Sequence, residues 1–287
     1  VKQLRITMTM KKMNLLFAID DGYVQQFMVT LYSIHQNSSN QQFSVYVLQK
    51  TELAQNEAIE TFCHNLGLDY HPVVIGEKSF EDAPTTNRYP ETIYYRLLAH
   101  EYLPQDLDKI LYVDADILCL NDMVALYEMD LEDKLYAAAS HTSDGNISNL
   151  VNKLRLRNFE VESYFNSGVL LMNLEAIRQS VFRKDILDYI EKNSHLLFLP
   201  DQDILNALYG HRTVLIPDQI YNYDARYNVL YYGRSSGEWN LNWVIENTVF
   251  LHFCGRDKPW KKDYRGRYSA LYKHYWHRTL RLKDSKD

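Results

Sequence analysis

Cysteine is scarce: Cys63, Cys119 and Cys254 are the only three, odd in number, far apart and without CxxC spacing. That pattern excludes a disulfide framework and a thiolate zinc site, and it suits a reducing compartment. The three are read as small buried hydrophobes. Long apolar runs are missing too. No stretch approaches the roughly 18 residues needed to span a bilayer, and residues 1–12 hold no apolar core of a secretory signal. They read as an extension upstream of the first strand-like run, which begins at Met13. No Walker or GxGxxG loop is present, so any phosphate must be held by other means. Disordered composition, internal repeats and linkers are also lacking.

Hydrophobic residues make up 46% of the chain, enough for one large α/β domain. Negative charge is nearly absent from one stretch. Residues 256–283 hold ten Lys/Arg and two Asp, which leaves −14 on the rest of a chain whose net charge is −6. An acidic body with a basic, aromatic tail predicts an anionic partner for the tail.

The apolar run from Met13 to Ile19 stops at Asp20-Asp21-Gly22, as a buried strand stops at a turn. Phe27, Leu31 and Ile34 then recur at helical spacing over 23–37. Strand-like runs at 43–48 and 70–75 flank a predicted helix over 52–66. A helix is predicted over 92–102, stopped by Pro104, then a strand over 109–114 that ends in carboxylates. Further strands are predicted at 135–139, 165–174 and 249–253, with helices over 176–193 and 201–209 and a polar segment over 140–158. This alternation predicts a mostly parallel sheet with helices on both faces. Ligands of such sheets gather at the carboxyl ends of the strands.

Asp114-Ala115-Asp116 stands at such an end. On extended backbone, residues two apart point to the same side, so both carboxylates can face one hard cation such as Mg²⁺ or Mn²⁺. A solvated strand-end turn is the alternative. His252 lies inside the apolar run Val249 to Phe253, where a histidine is either a satisfied core residue or a third ligand. As a ligand it would favour Mn²⁺, because nitrogen is the softer donor. The loop after it, with Gly255 and Lys258, could bring backbone and a cation to a diphosphate.

In this order the chain resembles glycosyltransferase family 8, the retaining enzymes that include bacterial lipopolysaccharide galactosyltransferases and glycogenin. The motifs are Phe17-Ala-Ile-Asp-Asp21, Tyr95-Arg-Leu-Leu98, Leu111-Tyr-Val-Asp-Ala-Asp116, Tyr164-Phe-Asn-Ser-Gly-Val-Leu-Leu171, Asp201-Gln-Asp-Ile-Leu-Asn206, and His252-Phe-Cys-Gly255 with Lys258-Pro-Trp260. The resemblance implies a GT-A fold, Rossmann-like, over residues 13–259, with a C-terminal basic and aromatic extension over 260–287. It implies a UDP-sugar donor, galactose favoured over glucose, and Mn²⁺ with Mg²⁺ as substitute. By position, Ala18 and Asp20 would line the nucleotide pocket. Asp114, Ala115 and Asp116 with His252 would form the metal site, the two aspartates and the imidazole being ligands. Gly255 and Lys258 would take the diphosphate, and Arg96, Asn166, Asp201 and Gln202 the donor sugar. Gly22 and Pro200 depart from the family pattern.

Each assignment has a plainer reading: Arg96 as a surface cation, Asn166 as a strand-end partner, Asp201 as a helix N-cap. The expected reaction is hexose transfer to a glycan, glycolipid or glycoprotein acceptor by attack from the face that UDP leaves. The rival functions are a silent sugar-binding module on this fold and a nucleotidyltransferase. The tail would either contact an anionic membrane from the cytoplasmic side or pack on the body. Nucleic acid is not an expected partner.

Overall fold

A computed structural model of the chain describes residues 12–76, 92–140 and 164–284. The expected upstream extension and most of the 140–158 segment lie outside the described residues. The main sheet is built from β1 (Met13–Ala18), β2 (Phe43–Gln49), β3 (Asp69–Val74), β4 (Lys109–Val113), β6 (Tyr136–Ser140), β7 (Phe165–Asn173) and β8 (Thr213–Ile216). Their order is β3-β2-β1-β4-β7-β6-β8. Pairing is parallel from β3 through β4 and between β6 and β8, while β7 runs against both neighbours. A smaller sheet places β10 (Phe250–His252) between β5 (Ile117–Cys119) and β9 (Tyr223–Asp224).

β2 is buried at every position, as a strand covered on both faces must be. Side-chain alternation divides the sheet's two faces between two cores. Leu15, Phe17, Val45, Val47, Leu111 and Val113 join one core beneath helices Val24–Asn37 and Asn56–Asn65. Leu16, Tyr46, Leu48, Ile110 and Tyr112 join the other, under helices Arg183–Asn193 and Pro200–Tyr209.

Two predicted helices are broken. The segment over 92–102 is Thr92–Tyr95, a 3-10 turn Arg96–Leu98, then Ala99–Tyr102. The tightened turn carries Arg96, whose side chain is held by groups across the sheet edge. The segment over 176–193 divides into Leu174–Ser180 and Arg183–Asn193, because Val181 and Phe182 are extended. Val181 is thereby buried and its carbonyl faces His100 at 3.1 Å. Pro200 occupies the first turn of its helix, where its missing N–H has no cost.

Helix Ser269–Asp284 packs against Val24–Asn37. Tyr268 and Tyr272 are fully buried in a third core with Tyr223, Leu251 and Phe253. Asn37 donates to the Tyr275 hydroxyl at 2.7 Å, and Arg278 to that of Tyr32 at 3.0 Å. Lys261, Lys262, Arg265, Arg267, Lys273 and Arg281 face solvent. The aromatics of the tail thus turn inward and its cations outward. Among the described residues no helix is long and apolar enough to cross a membrane.

Candidate metal and nucleotide-sugar site

Because β1 and β4 are parallel, their carboxyl ends share an edge, and antiparallel β7 begins there. The topology therefore gathers Ala18 and Asp20, Asp114 to Asp116, and Asn166 to Gly168. Asp114 N–H donates to the Gly168 carbonyl at 2.8 Å. The chain does not stay extended through Asp114-Ala115-Asp116; it turns between β4 and β5. The two carboxylates still converge, but through this turn and not through strand alternation. Thr30 Oγ1 fixes the turn by donating to the carbonyls of Ala115 at 3.0 Å and Ile117 at 2.7 Å. Across the small sheet, β10 sets His252 opposite Ile117, and Phe253 N–H donates to the Asp116 carbonyl at 3.0 Å.

Asp114, Asp116 and His252 are thus brought together, with one ligand atom from each lying within 4.8 Å of the others. His252 Nε2 is 3.1 Å from Asp116 Oδ1 and 3.8 Å from Asp114 Oδ2. His252 Nδ1 is turned away, toward Asn222 Oδ1 at 2.8 Å. Two carboxylates and an imidazole nitrogen aimed at them are donors that could hold a metal ion. Burial alone would raise the Asp116 carboxyl, but His252 and Lys258 outweigh it and hold it well below the usual carboxylate range. It is ionised at neutral pH, as a metal ligand has to be. The donor set fits a divalent cation.

Lys258 Nζ contacts Asp116 Oδ2 and donates to the Phe253 carbonyl at 2.9 Å. It lies 5.7 Å from the centre of the Trp260 ring, which meets Tyr23 edge to face at 5.9 Å. Gly255 adopts φ +86°, and a Cβ there would sit 2.9 Å from Arg226 Nη1. Glycine is required at that bend both for its backbone angle and for Arg226. Asp20 accepts from Gly22 N–H at 2.9 Å, capping the 3-10 turn Asp21–Tyr23.

On the other flank Arg96 is buried, not a surface cation. Its guanidinium reaches Asp114 Oδ1 at 2.9 Å, Asp201 Oδ2 at 3.3 Å and the Ser167 carbonyl at 2.8 Å. It also lies 4.3 Å above the Tyr112 ring, and the Tyr112 hydroxyl donates to Asp114 Oδ1 at 2.6 Å. Ser167 Oγ donates to Asp201 Oδ2 at 2.9 Å. Burial raises the Asp201 carboxyl, with Arg96 opposing. Asp201 is not the N-cap of its helix: it lies in the first turn, after Leu199. No side chain caps that helix. Asp203, one turn in, instead accepts from the N–H of Phe198 at 2.7 Å and Leu199 at 3.0 Å, which holds the chain that enters it. Asn166 Nδ2 donates to Gln202 Oε1 at 3.0 Å.

Sequence reasoning missed Ser167, Gly168, Tyr112 and Asn222. The first three stand inside motifs already quoted and signal nothing separately. Asn222 stands in none.

A family model described as glycosyl transferase family 8 matches residues 14–264. A lipopolysaccharide 1,2-glucosyltransferase of Escherichia coli is 29% identical over 258 residues, covering 86% of this chain and 73% of that protein. General stress protein A of Bacillus subtilis (strain 168) is 24% identical over 279 residues, covering 92% of each. The crystal structure of the galactosyltransferase LgtC with donor and acceptor sugar analogues superposes with a TM-score of 0.76 at 23% identity, covering 93% of this chain and 96% of that one. At that identity the likeness shows a shared fold, the GT-A arrangement of a mostly parallel sheet flanked by helices. With the family match running from β1 past Lys258, across every residue brought together at the sheet edge, the chain belongs to glycosyl transferase family 8.

Proposed function

We propose that the chain transfers a hexose, galactose or glucose, from a UDP-sugar to a glycan acceptor with retention of anomeric configuration, using a divalent cation, preferably Mn²⁺. The observation that carries this is the convergence of Asp114, Asp116 and His252 at the carboxyl edge of the sheet. When bound there, the cation supplies a Lewis acid to the leaving diphosphate. Lys258 adds a fixed positive charge in a half-enclosed site, where it acts more strongly than in water. Ala18 and Asp20, at the end of β1, would receive the nucleotide. Arg96, Asn166, Asp201 and Gln202 would orient the sugar.

Retention requires two inversions or attack from the departing face. Two inversions need a nucleophile beneath the anomeric carbon, a carboxylate in retaining glycosidases. Asp201 is the available carboxylate, but the oxygen that takes the Ser167 hydrogen bond also faces Arg96. Gln202 Oε1 accepts from Asn166 and, at 3.3 Å, from Ser167 N–H. Both side chains are occupied in holding the site, which favours front-face attack with the departing phosphate taking the acceptor's proton. Trapping a glycosyl adduct on Asp201 would overturn that step.

The acceptor class is a bacterial surface glycan, as the name of the E. coli relative suggests, and the names of the relatives divide between glucose and galactose. Incubation with a panel of UDP-sugars should release UDP with UDP-galactose or UDP-glucose, in the presence of Mn²⁺ and not of chelator. A silent sugar-binding module would be stabilised by UDP and Mn²⁺ without releasing UDP, and a nucleotidyltransferase would release pyrophosphate.

We further propose that the exposed cations of residues 261–281 meet the anionic inner face of a membrane, where such acceptors are assembled. Each near-surface cation contributes about 1 kcal/mol. Replacing Lys261, Lys262, Arg265 and Arg267 by Ser should abolish cosedimentation with anionic vesicles, and salt should weaken that of the unaltered chain. Unchanged binding would leave the cations as solvated surface.

A further inference from the structure

Asn222 follows helix Asp218–Tyr221 and precedes β9; it is fully buried and none of the sequence motifs includes it. Its amide makes two bonds to residues far away in the chain. Oδ1 lies 2.8 Å from His252 Nδ1, and Nδ2 donates to Asn166 Oδ1 at 2.8 Å. The direction of both bonds follows from a backbone group. Gly168 N–H can only donate, and it points at Asn166 Oδ1 at 2.8 Å. That atom is therefore the amide oxygen, its partner on Asn222 is the NH₂, and the Asn222 atom facing His252 is the oxygen. His252 Nδ1 must then carry a proton, and Nε2 is the ring atom presented to Asp114 and Asp116. The same chain runs on from Asn166 Nδ2 to Gln202 Oε1.

We infer that Asn222 is a positioning residue that fixes the imidazole of His252 as a metal ligand and ties it to the sugar-side pair Asn166 and Gln202. This rests on the proposed metal site. A ligating imidazole usually donates its other N–H to an oxygen, and loss of that partner weakens metal binding by about 10- to 100-fold. Asn222 does this with one end of a single amide and anchors Asn166 with the other. Metal retention and recognition of the sugar are thereby joined through one side chain. A merely space-filling asparagine would affect both through stability alone.

The test titrates Mn²⁺ into the full chain, free of nucleotide, by calorimetry or by electron paramagnetic resonance of the free ion. Asn222→Ala is expected to weaken Mn²⁺ binding by about 10- to 100-fold. Asn222→Asp keeps an oxygen for His252 Nδ1 but sets a second oxygen against Asn166 Oδ1. It should hold Mn²⁺ with near wild-type affinity while losing the preference for a UDP-hexose over UDP, measured as the ratio of their dissociation constants. A folded alanine variant that binds Mn²⁺ like the wild type overturns the inference. So does an aspartate variant that changes both properties or neither, which decides the matter if the alanine variant does not fold. Failure of the unaltered chain to bind Mn²⁺ would instead refute the metal site itself, and the inference with it.

Discussion

Asp116→Asn is expected to reduce hexose transfer by about a thousandfold or more while leaving the sheet intact. The amide keeps the size of the carboxylate and one oxygen, so packing beneath Phe253 N–H and the β4–β5 turn is preserved. What it loses is a full negative charge that two groups now share, His252 Nε2 at 3.1 Å and Lys258. A divalent ion in the same place would lose half of its carboxylate ligands. Cation stabilisation of a leaving phosphate contributes several kcal/mol, and a loss of about 4 kcal/mol corresponds to roughly a factor of a thousand. The deficit should lie in kcat as well as in Mn²⁺ affinity, because the charge it neutralises grows as the bond to phosphate breaks. Initial rates of UDP release at saturating donor, over a range of Mn²⁺ concentrations, measure both. A variant within tenfold of wild-type turnover and with the same Mn²⁺ dependence would remove Asp116 from the reaction.

The two aspartates show how an expected convergence of side chains can arise from a different local geometry. Their convergence was expected from the period of an extended strand. In the fold they sit in a turn held by Thr30, whose two hydrogen bonds cross 85 and 87 positions of sequence. No local pattern records such a contact. The apolar runs of β1, β2 and β4 were legible because burial on both faces leaves a continuous signal. Short strands such as β9 and β8 carry too few residues to do so. Broken helices were missed because periodicity is almost blind to a single extended pair such as Val181 and Phe182. Arg96 illustrates the remaining gap. Its residue type suggests a surface, yet it is 7% exposed, sustained by Asp114, Asp201 and Ser167, groups gathered by topology.

Gly168→Ala should lower transfer by about a hundredfold with only a modest loss of thermal stability. A Cβ on residue 168 would lie 2.4 Å from His252 Cε1, 2.9 Å from Asn166 Oδ1 and 2.9 Å from Asp114 Oδ2. The first distance is far inside van der Waals contact, so the imidazole has to move. His252 cannot yield freely, since Nδ1 is held by Asn222 and its backbone pairs with β5 and β9. Asn166 and Asp114 are held by Gln202 and Arg96 in turn. A single methyl group thus pushes at once on two side chains of the proposed metal site and on the amide proposed to face the sugar. Displacements near 1 Å at a reacting site cost about a hundredfold in rate. The nearest atoms to the added carbon belong to His252, Asn166 and Asp114 and not to the apolar side chains of either core, so the core is little disturbed. The expected signature is a fall in kcat and in Mn²⁺ affinity with near-wild-type near-ultraviolet circular dichroism. Wild-type kinetics in this variant would mean that the three segments do not meet over Gly168 as described, and the geometry of the metal site would have to be redrawn.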